Sequence, residues 1–136
     1  MSEKEKYIRD RISYWRYILG LENWNIKYRI VDKLQIESSC ANIIIEWEKE
    51  EAVIEICEKY DDSEIELAIL HEIIHLYIHY PMLFVTDILS KFCENAKTRQ
   101  VLQNELDSKE EIIVGRLAKA FLKLQNIKGE NRGKDS

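Results

Sequence analysis

Residues 70–76 read Leu70-His71-Glu72-Ile73-Ile74-His75-Leu76, and the interpretation of the whole chain depends on them. Two histidines four residues apart lie on one face of an α-helix, about 6 Å apart along its axis, so both imidazoles can reach one metal ion. Glu72 lies roughly 100° around the helix from His71, where its carboxylate can accept a proton instead of binding the ion. This is the His-Glu-x-x-His pattern of zinc hydrolases.

The residues around this motif predict a buried helix with a defined start. Apolar residues flank the motif on both sides, and the chain has only 3 histidines. Upstream, Ser63 can cap the helix and Glu66 can complete a capping box, while Pro81 is expected to end the helix. The predicted helix therefore covers about 63–80. The alternative is an accidental motif in a structural helix, whose buried polar side chains would need other partners.

Length and composition predict one compact domain. The chain has 136 residues, of which 46% are hydrophobic, so residues 1–126 can form a single core; residues 128–136 have no apolar side chain, which predicts a disordered tail over 127–136. A net charge of −5 gives no electrostatic reason to bind nucleic acid or an anionic membrane. No apolar run approaches a membrane span, so the expected partners are proteins or peptides.

The cysteines indicate the compartment. Cys40, Cys57 and Cys93 are an odd number at irregular spacing, which fits neither a disulfide framework nor a CxxC zinc site. The polar N-terminal residues do not form an apolar secretory segment. We therefore expect a reducing, cytoplasmic location, with each cysteine filling core space rather than acting as a nucleophile.

Periodicity predicts an α+β fold. Its predicted elements are an amphipathic helix over about 4–19 ended by Gly20, a strand at 24–31, a loop at 33–39, strands at 40–47 and 52–57 joined as a hairpin, and then the motif helix. After Pro81, apolar positions at helical spacing allow one long helix or two short ones. A last helix is expected at about 109–125, starting from a second capping signature at Asp107 and Ser108. Its predicted core stripe comprises Ile113, Val114, Leu117, Ala118, Phe121 and Leu124.

This order of elements resembles the minimal zincin fold, with an N-terminal helix, a small three-stranded antiparallel or mixed sheet, the motif helix and C-terminal helices. Residues 24–28, 71–76 and 111–118 resemble small metallopeptidases of phages and other mobile elements, and more distantly the ImmA/IrrE group. The resemblance implies a zinc-dependent peptidase.

A catalytic zinc needs a third protein ligand and an open position, and three residues compete for that role. His79 is about 12 Å along the axis from His71, too far for one straight helix to direct both onto one ion. Helical periodicity places Glu110 at the centre of the apolar face of the last helix, where a carboxylate needs a buried partner. The family resemblance instead places the ligand at Glu111, which could otherwise only close a capping box with Ser108. We adopt Glu111 and retain Glu110 as its rival.

The expected chemistry is hydrolysis of a peptide bond by a metal-activated water, with zinc held by His71, His75 and Glu111 and with Glu72 as the general base. The strand at 40–47 would bind an extended substrate if it forms a sheet edge.

Three further side chains, Tyr77, His79 and Tyr80, are candidate donors to the substrate. The alternative function is that of a non-catalytic zincin-fold module, which would work by binding a partner in a phage or mobile-element complex.

Overall fold

The computed structural model describes residues 1–32, 34 and 40–134, without the side chains of 128–134. The predicted loop at 33–39 lies outside the described residues, except for Leu34. The fold is α+β, as predicted, with these elements: α1 (Glu3–Ile18), β1 (Asn25–Val31), β2 (Ala41–Glu46), β3 (Glu51–Cys57), α2 (Asp62–Phe92) and α3 (Ala96–Lys134). The chain divides into two compact units, Met1–Ile73 and Ile74–Ser136, and the division falls inside α2.

Helix α1 matches the predicted first helix. The Ser2 hydroxyl caps it by accepting a hydrogen bond of 3.1 Å from the Glu5 backbone N–H. Its buried residues recur at helical spacing: Ile8, Ile12 and Trp15. Gly20 follows with a positive φ of 68°, a left-handed conformation that glycine adopts without a Cβ clash, so the predicted terminator is confirmed.

The sheet is three-stranded and mixed, in the order β1-β3-β2. Strand β3 is central, pairing parallel to β1 and antiparallel to β2, so the predicted hairpin of the second and third strands is confirmed. Ile54 and Ile56 of β3 are fully buried. The hairpin turn holds Glu50 at φ 51°, a left-handed conformation that is uncommon for glutamate.

The start of α2 differs from the prediction. Asp61, not Ser63, caps the helix: its carboxylate accepts hydrogen bonds from the Glu64 backbone N–H at 2.9 Å and from the Ser63 hydroxyl at 2.8 Å. These bonds hold the pKa of Asp61 below its usual value. Glu66, predicted to complete a capping box, instead binds side chains of α1, because the Asp61 carboxylate already satisfies the helix end.

Pro81 does not end α2, which continues to Phe92. Proline removes one helical hydrogen bond and crowds the carbonyl four residues earlier, yet the apolar positions after it continue at helical spacing. That continuity favours a single helix over the break expected at residue 80.

Helix α3 begins at Ala96, well before the predicted start at about 109. Asn95 caps it, its side-chain oxygen accepting a hydrogen bond of 3.0 Å from the Thr98 backbone N–H. Ser108 therefore lies within a helix and cannot form a capping box with Glu111. The helix extends to Lys134. The predicted domain bounds, 1–126 with a disordered tail at 127–136, stay a prediction.

The predicted core stripe of α3 is only partly buried. Val114 and Ala118 are fully buried, whereas Ile113 is 39% exposed and Leu124 is 57% exposed. The apolar pattern therefore predicted more burial along α3 than the structure shows.

Among the described residues, α2 is the one helix long and apolar enough to cross a membrane by length and composition, which the sequence pattern had not indicated. A third of its apolar window is buried within the protein. Core helices meet the same criteria, so this is weak evidence for a span, and the expected absence of a membrane partner stays a prediction.

Candidate metal centre

All 3 histidines of the chain lie on one face of α2, at intervals of four residues. The His75 side chain is 12% exposed, and that of His79 is 35% exposed. His71 and Glu72 are half-buried. The motif is therefore helical, as predicted, with its histidines partly shielded from solvent.

Two consecutive glutamates of α3 face the His75 imidazole from different sides. The Glu111 Oε1 atom lies 2.9 Å from His75 Nε2. The Glu110 Oε2 atom lies 3.9 Å from His75 Nδ1. Each ring nitrogen of His75 thus has its own carboxylate within the second unit of the chain.

The ligand atoms of His71, His75 and Glu111 all lie within 4.8 Å of one another. His71 and His75 belong to one continuous helix and are spaced by slightly more than one turn. Two imidazoles and one carboxylate are a donor set that catalytic zinc sites use, and such a set leaves a fourth position open. By donor chemistry and spacing, the three residues could hold a metal ion.

Glu110 is the buried carboxylate of the described chain, as its place on the apolar face of α3 predicted. Its Oε1 atom lies 3.0 Å from His79 Nδ1, within hydrogen-bonding distance. Both candidate carboxylates of α3 therefore meet histidines, but different ones. The sequence pattern missed the Glu110–His79 pair, although His79 shares a helix face with His75.

The remaining candidates lie nearer to solvent. Tyr77 is 43% exposed and Tyr80 is 50% exposed. Their predicted role as donors to a substrate stays a prediction. On α3, a Cβ added to Gly115 would meet no atom within 4 Å outside its own stretch of helix, so there is space for a side chain one turn after Glu111.

No protein-family model, no curated protein and no solved structure matches this chain.

Proposed function

We propose that this chain is a zinc-dependent metallopeptidase with a minimal zincin-like fold. The observation that carries the proposal is the convergence of His71, His75 and Glu111, whose ligand atoms lie within 4.8 Å of one another. The sequence resemblance to small phage and mobile-element metallopeptidases supports the same reading. Among the metals that imidazole and carboxylate bind, zinc is the one that His-Glu-x-x-His helices most often hold.

The protein residues divide the chemistry between them. A zinc ion held there would polarise the scissile carbonyl and lower the pKa of a coordinated water. Glu72 adjoins His71 in sequence but lies roughly 100° away around α2, so its carboxylate would accept the proton of the attacking water instead of binding the ion. Glu72 would then deliver that proton to the leaving amine.

Strand β2 offers a means of binding an extended peptide. One edge of β2 pairs with β3, and in the described sheet β2 stands at the outer position. Such an edge presents backbone N–H and C=O groups to which an added strand can bond. Its exposed side chains, among them Ile44 at 47%, would contact alternate residues of the substrate.

The proposal is tested by metal analysis combined with a cleavage assay. Protein prepared without added metal should take up one zinc ion per chain, and the double variant His71→Ala/His75→Ala should take up none. Glu72→Gln keeps the shape of the side chain but cannot accept a proton, so it should bind zinc normally and cleave no peptide. Stoichiometric zinc in the double variant would refute the assigned site.

The same variants distinguish the alternative of a non-catalytic binding module. If the protein were such a module, the parent and Glu72→Gln would bind zinc and the partner equally well, and neither would hydrolyse peptides. A parent protein that cleaves while Glu72→Gln does not would exclude that alternative.

A further inference from the structure

We infer that Glu110 positions the His75 imidazole and that His79 holds Glu110 in place, so that the centre has a second carboxylate that does not bind the metal. The inference rests on the proposed zinc site. It assigns roles to two residues that the ligand set of His71, His75 and Glu111 leaves out.

The two ring nitrogens of His75 lie near different carboxylates. The two nitrogens of an imidazole lie on different sides of the ring, and in this structure Nε2 faces Glu111 at 2.9 Å while Nδ1 faces Glu110 at 3.9 Å. A metal ion bound beside Glu111 would use Nε2. The Nδ1 atom, directed toward Glu110, then carries the ring proton.

Glu110 is buried, whereas its neighbour Glu111 is exposed. The Glu110 side chain is 12% exposed, whereas that of Glu111 is 60% exposed, although the two residues are neighbours. Burying a carboxylate without a partner is unfavourable because the charge loses its hydration, so a buried glutamate implies a specific contact. His79 provides it, since its Nδ1 atom lies 3.0 Å from Glu110 Oε1.

The two oxygens of the Glu110 carboxylate lie near different histidines. One Glu110 oxygen is engaged by His79, and the other is directed at His75. A carboxylate on the non-coordinating nitrogen of a metal-binding histidine fixes the tautomer and the orientation of the ring. At 3.9 Å the contact with His75 is longer than a hydrogen bond, so a movement of about 1 Å by either side chain is needed to form one.

The test compares metal affinity and the metal environment in four proteins. These are the parent, Glu110→Gln, His79→Gln and the control Glu105→Gln, which changes an α3 carboxylate that is 68% exposed and pairs only loosely with Lys109 at 4.0 Å. Zn²⁺ affinity is measured by competition with a chromophoric chelator, and the visible absorption bands of the Co²⁺-loaded proteins report the ligand geometry. We expect Glu110→Gln and His79→Gln to lower the affinity about 10- to 100-fold and to shift the Co²⁺ bands. Glu105→Gln should match the parent in both measurements.

A merely structural role for Glu110 predicts a different outcome. The variant would then melt at a lower temperature without metal, but its Zn²⁺ affinity and Co²⁺ spectrum would equal those of the parent, and the inference would be overturned. If Glu110→Gln does not fold, His79→Gln decides the matter, because the His79 side chain is 35% exposed and its replacement is tolerated more easily. Parent-like affinity and spectrum in that variant would also overturn the inference.

Two further variants complete the design. The double variant Glu110→Gln/His79→Gln should bind zinc no more weakly than Glu110→Gln alone, since His79 acts through Glu110; additive losses would refute this link. His75→Ala should abolish zinc binding. If His75→Ala still binds zinc, the proposed zinc site itself is wrong. That result differs from the one in which zinc binds at the proposed site and Glu110→Gln has no effect on its affinity.

Discussion

The Arg11 guanidinium donates two hydrogen bonds to one oxygen of Glu66, from Nε at 2.9 Å and from a terminal nitrogen at 2.6 Å. Both side chains are largely shielded, with 21% and 19% of their surfaces exposed. The Trp15 indole N–H donates to the same oxygen at 3.3 Å, and the Tyr7 hydroxyl donates to the other at 3.2 Å. Within the first unit of the chain, this carboxylate connects α1 to the first turns of α2.

Glu66→Ala should lower the free energy of unfolding by about 2–3 kcal/mol, because it leaves a partly buried guanidinium without its carboxylate. Urea denaturation measures the change. Asp10→Ala is the matched control, since Asp10 pairs with its neighbour Arg9 on the surface, and it should cost less than about 1 kcal/mol. Equal losses in the two variants would contradict the role given to Glu66.

Stability should fall at high pH in a way that depends on Tyr7. Burial, followed by the negative charge and hydrogen bond of Glu66, raises the pKa of Tyr7 to about 12. The unfolded chain ionises Tyr7 near pH 10, so the stabilisation is complete below that pH and is lost as the pH rises toward about 12. Urea denaturation on either side of pH 10 should show a smaller decline for Tyr7→Phe than for the parent. The same decline in both would indicate that Tyr7 ionises normally in the folded protein.

Pro81→Ala should stabilise the protein. Proline inside a helix destabilises the folded state by about 3 kcal/mol, but it also restricts the unfolded chain, which stabilises the protein by about 1 kcal/mol. Replacing Pro81 by alanine should therefore raise the free energy of unfolding by about 2 kcal/mol. Ser90→Ala, an exposed change in the same helix, is the control and should alter stability by only a few tenths of a kcal/mol. An unchanged or lower melting temperature for Pro81→Ala would mean that α2 is not helical through this position.

Cys40 should be unreactive in the folded protein. Burial raises the pKa of its thiol to about 11, and the thiolate is the nucleophilic form. At mildly alkaline pH, alkylation by iodoacetamide should be roughly a hundredfold slower than in the urea-unfolded chain. Mass spectrometry of the Cys40 peptide measures both rates. Equal alkylation rates in the folded and unfolded chains would show that the Cys40 thiol is accessible and that its pKa is not raised by folding.

Glu111→Gln should weaken Zn²⁺ binding more than Glu110→Gln does, because it removes both a bond to the ion and a balancing charge. Its effect on the stability of the metal-free protein should be small, since Glu111 is 60% exposed and closes no capping box. The chelator competition assay compares the two variants. A stronger loss in Glu110→Gln would assign the third ligand to Glu110 instead.

The sequence predicted the elements better than their ends. Alternation of apolar and polar residues identified β1, and two apolar runs on either side of a polar connection identified β2 and β3, because strands with a buried face impose such patterns. Helix ends depend on short local signals, and at Ser63, Pro81 and Ser108 those signals were overruled. In each case a stronger competing factor was present: a better cap at Asp61, or an apolar pattern that continued past the signal.

The site shows the same division between local and distant information. The spacing of His71 and His75 follows from one helix, so the sequence alone could pair them. Helical periodicity correctly predicted that Glu110 is buried. It could not show that His79 would be its partner, because that contact joins residues 31 positions apart. Which α3 carboxylate meets which ring nitrogen depends on how the helix is rotated, and no local pattern encodes that rotation.

The pairing of one imidazole with two adjacent glutamates limits what can replace His75. Neighbouring residues of a helix diverge by about 100°, and the two separated nitrogens of an imidazole allow one side chain to meet both carboxylates. Cysteine and aspartate bind zinc in other proteins, but neither has a second nitrogen to place opposite Glu110. At the proposed zinc site, position 75 would therefore need histidine for two contacts, one with the ion and one with Glu110.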